Sequence, residues 1–114
     1  MKHKTLLLLS TALSFTLIGA APVYAEVDVD SAKAIYKKEK CNKCHSPDKS
    51  KSGPSFKKIA AKYKGKPDGE EKVIKAVTTG PTVKLDDGSE EKHKIVKTED
   101  PAQLKNLAQW ILSH

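Results

Sequence analysis

Five residues near the middle of the chain, Cys41-Asn42-Lys43-Cys44-His45, limit what it can become more than any other stretch. Two thiols about one helical turn apart can both reach one edge of a flat ligand, and the histidine that follows at once is carried round over that ligand's centre. The spacing is the attachment signature of c-type haem, with two thioethers to the vinyl groups and a ring nitrogen on the iron. Two other readings stay open at this point. A Cys-x-x-Cys pair also serves as a redox dithiol, although that motif usually follows a strand and opens a helix, whereas here a helical pattern runs into it. It also serves as half of a zinc site, but a closed site needs four ligands. Of the later histidines, neither His93 nor His114 stands at finger spacing.

The N-terminus bears on the compartment. Met1-Lys2-His3-Lys4 leads into an apolar run from Leu6 to Ile18 and then into Val23-Tyr24-Ala25, with small residues at the two positions a signal peptidase reads. The run is too short and wrongly flanked for a membrane span. Residues 1–25 are therefore expected to be a secretory signal peptide cleaved after Ala25, leaving residues 26–114 as one periplasmic domain with no membrane span. Export fits the cysteines, because haem is attached to c-type proteins outside the cytoplasm and a disulfide is also permitted there.

A domain of that size buries little core by itself and commonly leans on a disulfide, a metal or a cofactor. Past the leader its aromatics are only Tyr36, Phe56, Tyr63 and Trp110, so a covalently held haem would supply the missing apolar mass. Taking Lys2 and Lys4 from the 21 basic residues leaves 19 lysines against 14 acids, a net charge of +5, with no arginine anywhere. Nucleic acid is a poor partner for such a chain, which lacks arginine for bidentate contacts and any stacking series of aromatics. A lysine-rich surface suits instead redox partners with acidic docking faces, where charge speeds encounter.

In chain order, Glu26 to Asp30 is expected to fray, and Asp30 or Ser31 to cap a helix reaching about Lys40 with Ala32, Ile35 and Tyr36 on one face. After His45 the segment to Pro54 is polar and turn-rich. A ligating histidine normally gives its other ring N–H to a carbonyl, and Pro54 offers one. Ser55 caps a helix from Phe56 to about Tyr63, with Phe56, Ile59, Ala60 and Tyr63 as its apolar stripe. A third helix, Glu70 to about Thr79, turns Val73, Ile74 and Val77 inward and ends at Gly80-Pro81. From Thr82 to Thr98 the pattern alternates around Asp86-Asp87-Gly88-Ser89, predicting a small hairpin or extended loop with Val83, Leu85, His93 and Ile95 on one side. The last helix starts at Thr98 or Asp100 and runs to about Ser113, with Leu104, Leu107, Ala108, Ile111 and Leu112 inward. Crossing it over the first helix would bring Trp110 and Leu107 against Ile35 and Tyr36.

This order of elements, from the Tyr36 helix through Cys41-Asn42-Lys43-Cys44-His45 and Gly53-Pro54 to a final helix ending Leu107-Ala108-Gln109-Trp110-Ile111-Leu112, resembles a small bacterial monohaem class I cytochrome c. The resemblance implies an all-α cytochrome c fold of about four helices around one covalent haem c, thioethers at Cys41 and Cys44, His45 as proximal iron ligand and Pro54 as its carbonyl partner. It implies an electron carrier rather than an enzyme. The departure is the second axial ligand: the family usually supplies a methionine before the last helix, and the only methionine here is Met1. His93 stands in that loop, and neutral imidazole is a good iron ligand, so His45/His93 coordination is expected, ahead of His114, a deprotonated lysine such as Lys92 or Lys94, or no sixth ligand at all. Imidazole in place of a thioether should lower the reduction potential. The alternative function is a gas-binding haem protein whose His93 yields to nitric oxide or carbon monoxide.

Overall fold

The computed structural model describes residues 26–114 together with Gly19; the leader with its apolar run, Met1 and the cleavage position after Ala25 otherwise lie outside the described residues. Four α-helices, α1 (Val29–Lys38), α2 (Phe56–Tyr63), α3 (Gly69–Thr79) and α4 (Pro101–Leu112), are joined by a 3-10 turn at Cys41–Lys43 and by a hairpin of β1 (Thr82–Lys84) and β2 (Glu90–Lys92). The hairpin is antiparallel, pairing Thr82 with Lys92, Val83 with Glu91 and Lys84 with Glu90. None of the described helices is long and apolar enough to cross a membrane.

Helices α1, α2 and α4 begin where a side chain takes up a first free amide. Ser55 accepts from the Lys58 amide at the start of α2, and Asp100 accepts from Ala102 ahead of Pro101 in α4. For α1 the cap is Asp28, which accepts from the Ser31 amide at 3.0 Å and from its hydroxyl at 2.7 Å, so the helix starts earlier than Asp30 or Ser31 would have it. Nor does the segment before it fray. The Asp28 amide donates to Asn106 Oδ1 and the Asn106 side-chain amide donates back to the Asp28 carbonyl, both at 2.8 Å, tying the lead-in to α4.

Helix α4 is the spine, packed against α1, α2 and α3. Its Leu104, Leu107, Ala108, Trp110 and Ile111 are buried with Ala32 of α1, Phe56 of α2 and Val73 of α3, while Ile35, Tyr36, Ile74, Val77 and Leu112 pack around them half-buried. Trp110 meets Tyr36 edge-on, ring centroids 5.6 Å apart, which is the crossing of first and last helices the sequence predicts. Val83, Leu85, His93 and Ile95 stand on one side, as the alternation predicts: all four line the cavity described next. Their neighbour Val96 is buried, its amide donating to the Val77 carbonyl and its side chain turned into the core.

Candidate functional site

Helix α1 ends at Glu39, and Lys40 then takes a left-handed backbone, φ 59°, that turns the chain sharply into Cys41. The Cys44 and His45 amides both donate to the Cys41 carbonyl, at 3.1 and 2.9 Å, so the two thiols and the imidazole sit on one tight turn. That turn forms one wall of a cavity of about 500 Å³, a size typical of cofactor sites, with apolar sides from α2, α3, the hairpin and α4, among them Ile59, Val73, Val77, Val83, Leu85 and Leu107. Cys41, Cys44, His45, Pro54 and His93, the five residues singled out in the sequence, all line it. His114 and Lys92 do not, and Lys94 does.

The two imidazoles face one another, with ring centroids 5.9 Å apart and planes at 43°. The His45 Nδ1–H donates to the Pro54 carbonyl at 2.6 Å and the His93 Nδ1–H to the Lys94 carbonyl at 2.8 Å. A carbonyl can only accept, so each ring carries a proton on Nδ1, and Nε2 is the nitrogen left to take a metal when the ring is neutral. Burial, against the pull of the Pro54 carbonyl and together with the nearby His93, holds His45 below the ordinary imidazole pKa and so favours that neutral form.

The thiols are free and half-buried. Burial pushes the Cys41 thiol up, the opposite of the depressed pKa that makes a dithiol reactive. Among the described residues no three His, Cys, Asp or Glu side chains converge to hold an ion, which leaves a zinc site without its ligands. The residues present fit a flat apolar cofactor with a metal at its centre: two thiols and two imidazoles line one cavity whose other walls are hydrocarbon.

Three contributors escaped the sequence. Gly53 lies so close under the His45 ring that a Cβ there would come 2.9 Å from Cε1. Phe56 stacks on that ring, centroids 5.8 Å apart. The Tyr36 hydroxyl donates to the His45 carbonyl at 2.8 Å, and burial raises its pKa. A glycine in a turn and aromatics in helical stripes read as ordinary local structure; nothing in periodicity says that they converge on one histidine.

Comparison with known proteins gives the family. The sequence pattern of the family described as Cytochrome c matches residues 29–114. Cytochrome c-551 of Azotobacter vinelandii is 31% identical over 88 residues, 75% of this chain and 99% of that protein. Cytochrome c-551 of Pseudomonas denitrificans is 29% identical over 83 residues, covering 73% and 96%. Among solved structures, the class 1 cytochrome MtoD from Sideroxydans lithotrophicus ES-1 is 50% identical with a TM-score of 0.74, over 77% of this chain and 97% of that one. Nitrosomonas europaea cytochrome c552 is 28% identical with a TM-score of 0.55, over 71% and 96%. Helices folded round an apolar slot with a Cys-x-x-Cys-His turn on its wall define a haem-binding electron-transfer protein. The chain belongs to the cytochrome c family, which binds haem c covalently and exchanges electrons with redox partners.

Proposed function

We propose that this chain is an exported single-electron carrier, not an enzyme, with haem c joined to Cys41 and Cys44 and its iron held by His45 on one side and His93 on the other. The observation that carries the reading is the facing pair of imidazoles, 5.9 Å apart across the cavity and each tied at Nδ1 to a carbonyl. When bound, the haem iron supplies one-electron exchange between its ferric and ferrous states. The protein's residues do the rest. Pro54 and Lys94 fix the two tautomers, Ile59, Val73 and Leu107 keep water from the faces of the ring, and a second imidazole in place of a thioether sets a lower potential. The His93 ring bonds to a backbone carbonyl rather than a carboxylate, so it has no acid–base partner of the kind a haem enzyme uses.

The leader, Met1 to Ala25, supports export to the periplasm with cleavage after Ala25. Partners with acidic faces suit a cleft lined by Lys38, Lys40, Lys94 and Lys97 with Glu39 and Ile95, which opens beside the rim where Cys41 stands. The one salt bridge among the described residues is Lys72–Asp68, so these four lysines are free to meet a partner's carboxylates.

The test is the absorption spectrum of the holoprotein and of His93→Ala, each with and without carbon monoxide. Wild-type ferrous protein is expected to ignore the gas, and His93→Ala to bind it and lose its six-coordinate spectrum. A variant indistinguishable from wild type removes His93 from the iron. Rapid binding of carbon monoxide to wild type moves the protein to the gas-binding reading.

A further inference from the structure

We infer that Tyr36 is the positioning residue of the proximal ligand, its hydroxyl clamping the peptide of His45 and thereby the angle at which that imidazole stands over the iron. The inference rests on the ligation proposed above and extends it to a residue outside the attachment motif. His45 is held at three points. Its amide donates to the Cys41 carbonyl at 2.9 Å, its ring Nδ1–H donates to Pro54 at 2.6 Å, and its own carbonyl accepts from Tyr36 Oη at 2.8 Å. His45 also stands opposite Ser50 in an isolated antiparallel bridge. Those contacts lie within the loop that follows α1, and the Tyr36 hydroxyl is the side-chain donor that ties the His45 carbonyl back to α1 itself. Without that bond the peptide after His45 would tilt with its loop, and the ring would follow about its bond to Pro54.

The hydroxyl can act as a clamp because its own ring cannot move. Tyr36 meets Phe56 edge-on, centroids 5.4 Å apart at 63°, and meets Trp110 at 5.6 Å and 67°, while Phe56 and Trp110 meet each other at 5.4 Å and 74°. The three rings come from α1, α2 and α4, and edge-to-face contacts of this kind fix orientation as well as burying area. Phe56 then stacks on the His45 ring from the other side. The packing of three helices therefore reaches the ligand twice, through a ring face and through a hydrogen bond. For packing alone phenylalanine would serve at position 36 equally well. The oxygen has a use only at the His45 carbonyl.

The experiment compares ferric holoprotein of wild type, Tyr36→Phe and Trp110→Phe by low-temperature electron paramagnetic resonance and by thermal unfolding. The g values of a low-spin haem depend on how the axial rings are turned, which a purely structural role would leave alone. Both variants are expected to melt lower than wild type. Tyr36→Phe is expected to shift the largest g value, and Trp110→Phe, which loosens the same cluster but keeps the hydroxyl, to leave it in place. Wild-type g values in Tyr36→Phe overturn the inference, as does an equal shift in Trp110→Phe. A wild-type protein with no low-spin ferric signal sinks the ligation reading itself, and the inference with it, whereas a low-spin wild type with an unmoved Tyr36→Phe sinks the inference alone.

Discussion

The two sides of the cavity hold their imidazoles in different ways. His45 is fixed by the helical core: amide, carbonyl and ring are each hydrogen-bonded, Phe56 covers one face and Gly53 lies against an edge. His93 stands just past a three-residue strand whose residues are all exposed. Its amide donates to Pro81 at 2.8 Å, and its ring is steadied by the carbonyl of the very next residue. One imidazole answers to tertiary packing and the other to its own loop. Under the ligation proposed above, the side built on the core would set where the cofactor sits, and the hairpin side would set the iron's sixth ligand.

Replacing both Cys41 and Cys44 by serine should have the largest effect and bears on the core side alone. Protein matured in a competent host should then carry no covalent haem, seen by mass spectrometry, whereas His93→Ala should retain the full adduct. Loss of the adduct from His93→Ala would break the division of labour. Next come the apolar supports. Phe56→Ala, which empties the centre of the aromatic cluster, should cost about 3–5 kcal/mol in denaturant unfolding. Val96→Ala, the one buried anchor of the loop around His93, removes two methyl groups and should cost about 2 kcal/mol. Equal losses would mean that the hairpin side is as much a part of the core as the other. Gly53→Ala tests the fixed side directly. The new Cβ comes 2.9 Å from His45 Cε1 and 3.2 Å from the Cys44 carbonyl oxygen, and neither the hydrogen-bonded ring nor the backbone gives way freely, so the stability loss should be about 1–3 kcal/mol, the range for overpacking. Displacement of the ring should show as a change in the haem absorption bands.

The same division explains what could be read from the chain in advance. The Cys41-to-His45 turn, the Ser55 cap and the bounds Phe56–Tyr63 of α2 rest on neighbours in sequence, and those elements stand where the pattern puts them. The departures come where distant residues decide. Asp28, Asp30 and Ser31 are all competent caps by type; Asn106 in α4 selects Asp28 by gripping its backbone. Alternation puts Ile95 on the cavity side with His93, where both stand, but it says nothing of Val96, which is buried because the distant Val77 carbonyl takes its amide. The hydroxyl of Tyr36 finds a carbonyl nine residues on, at a spacing no regular element repeats.

Acid offers the smallest test, acting on the far end of the helix that carries Tyr36. The Ser31 amide, and after it the Ser31 hydroxyl, holds the Asp28 carboxyl below the ordinary carboxylate range in the folded protein. Because the folded value lies under the unfolded one, the unfolded chain binds the proton more readily, so this group's contribution is complete above the ordinary carboxylate range and disappears as pH falls through the folded value. Asp28→Asn keeps a side-chain oxygen to cap α1 but has no proton to take up. Its thermal unfolding should therefore depend less on pH in the acid range than that of wild type, while the two converge in strong acid. Asp28→Ala should lose the cap at every pH. If Asp28→Asn follows the wild-type acid curve throughout, the start of α1 is held by the Asn106 clasp and not by the carboxylate, and the core side of the cavity reaches the N-terminus through α4 alone.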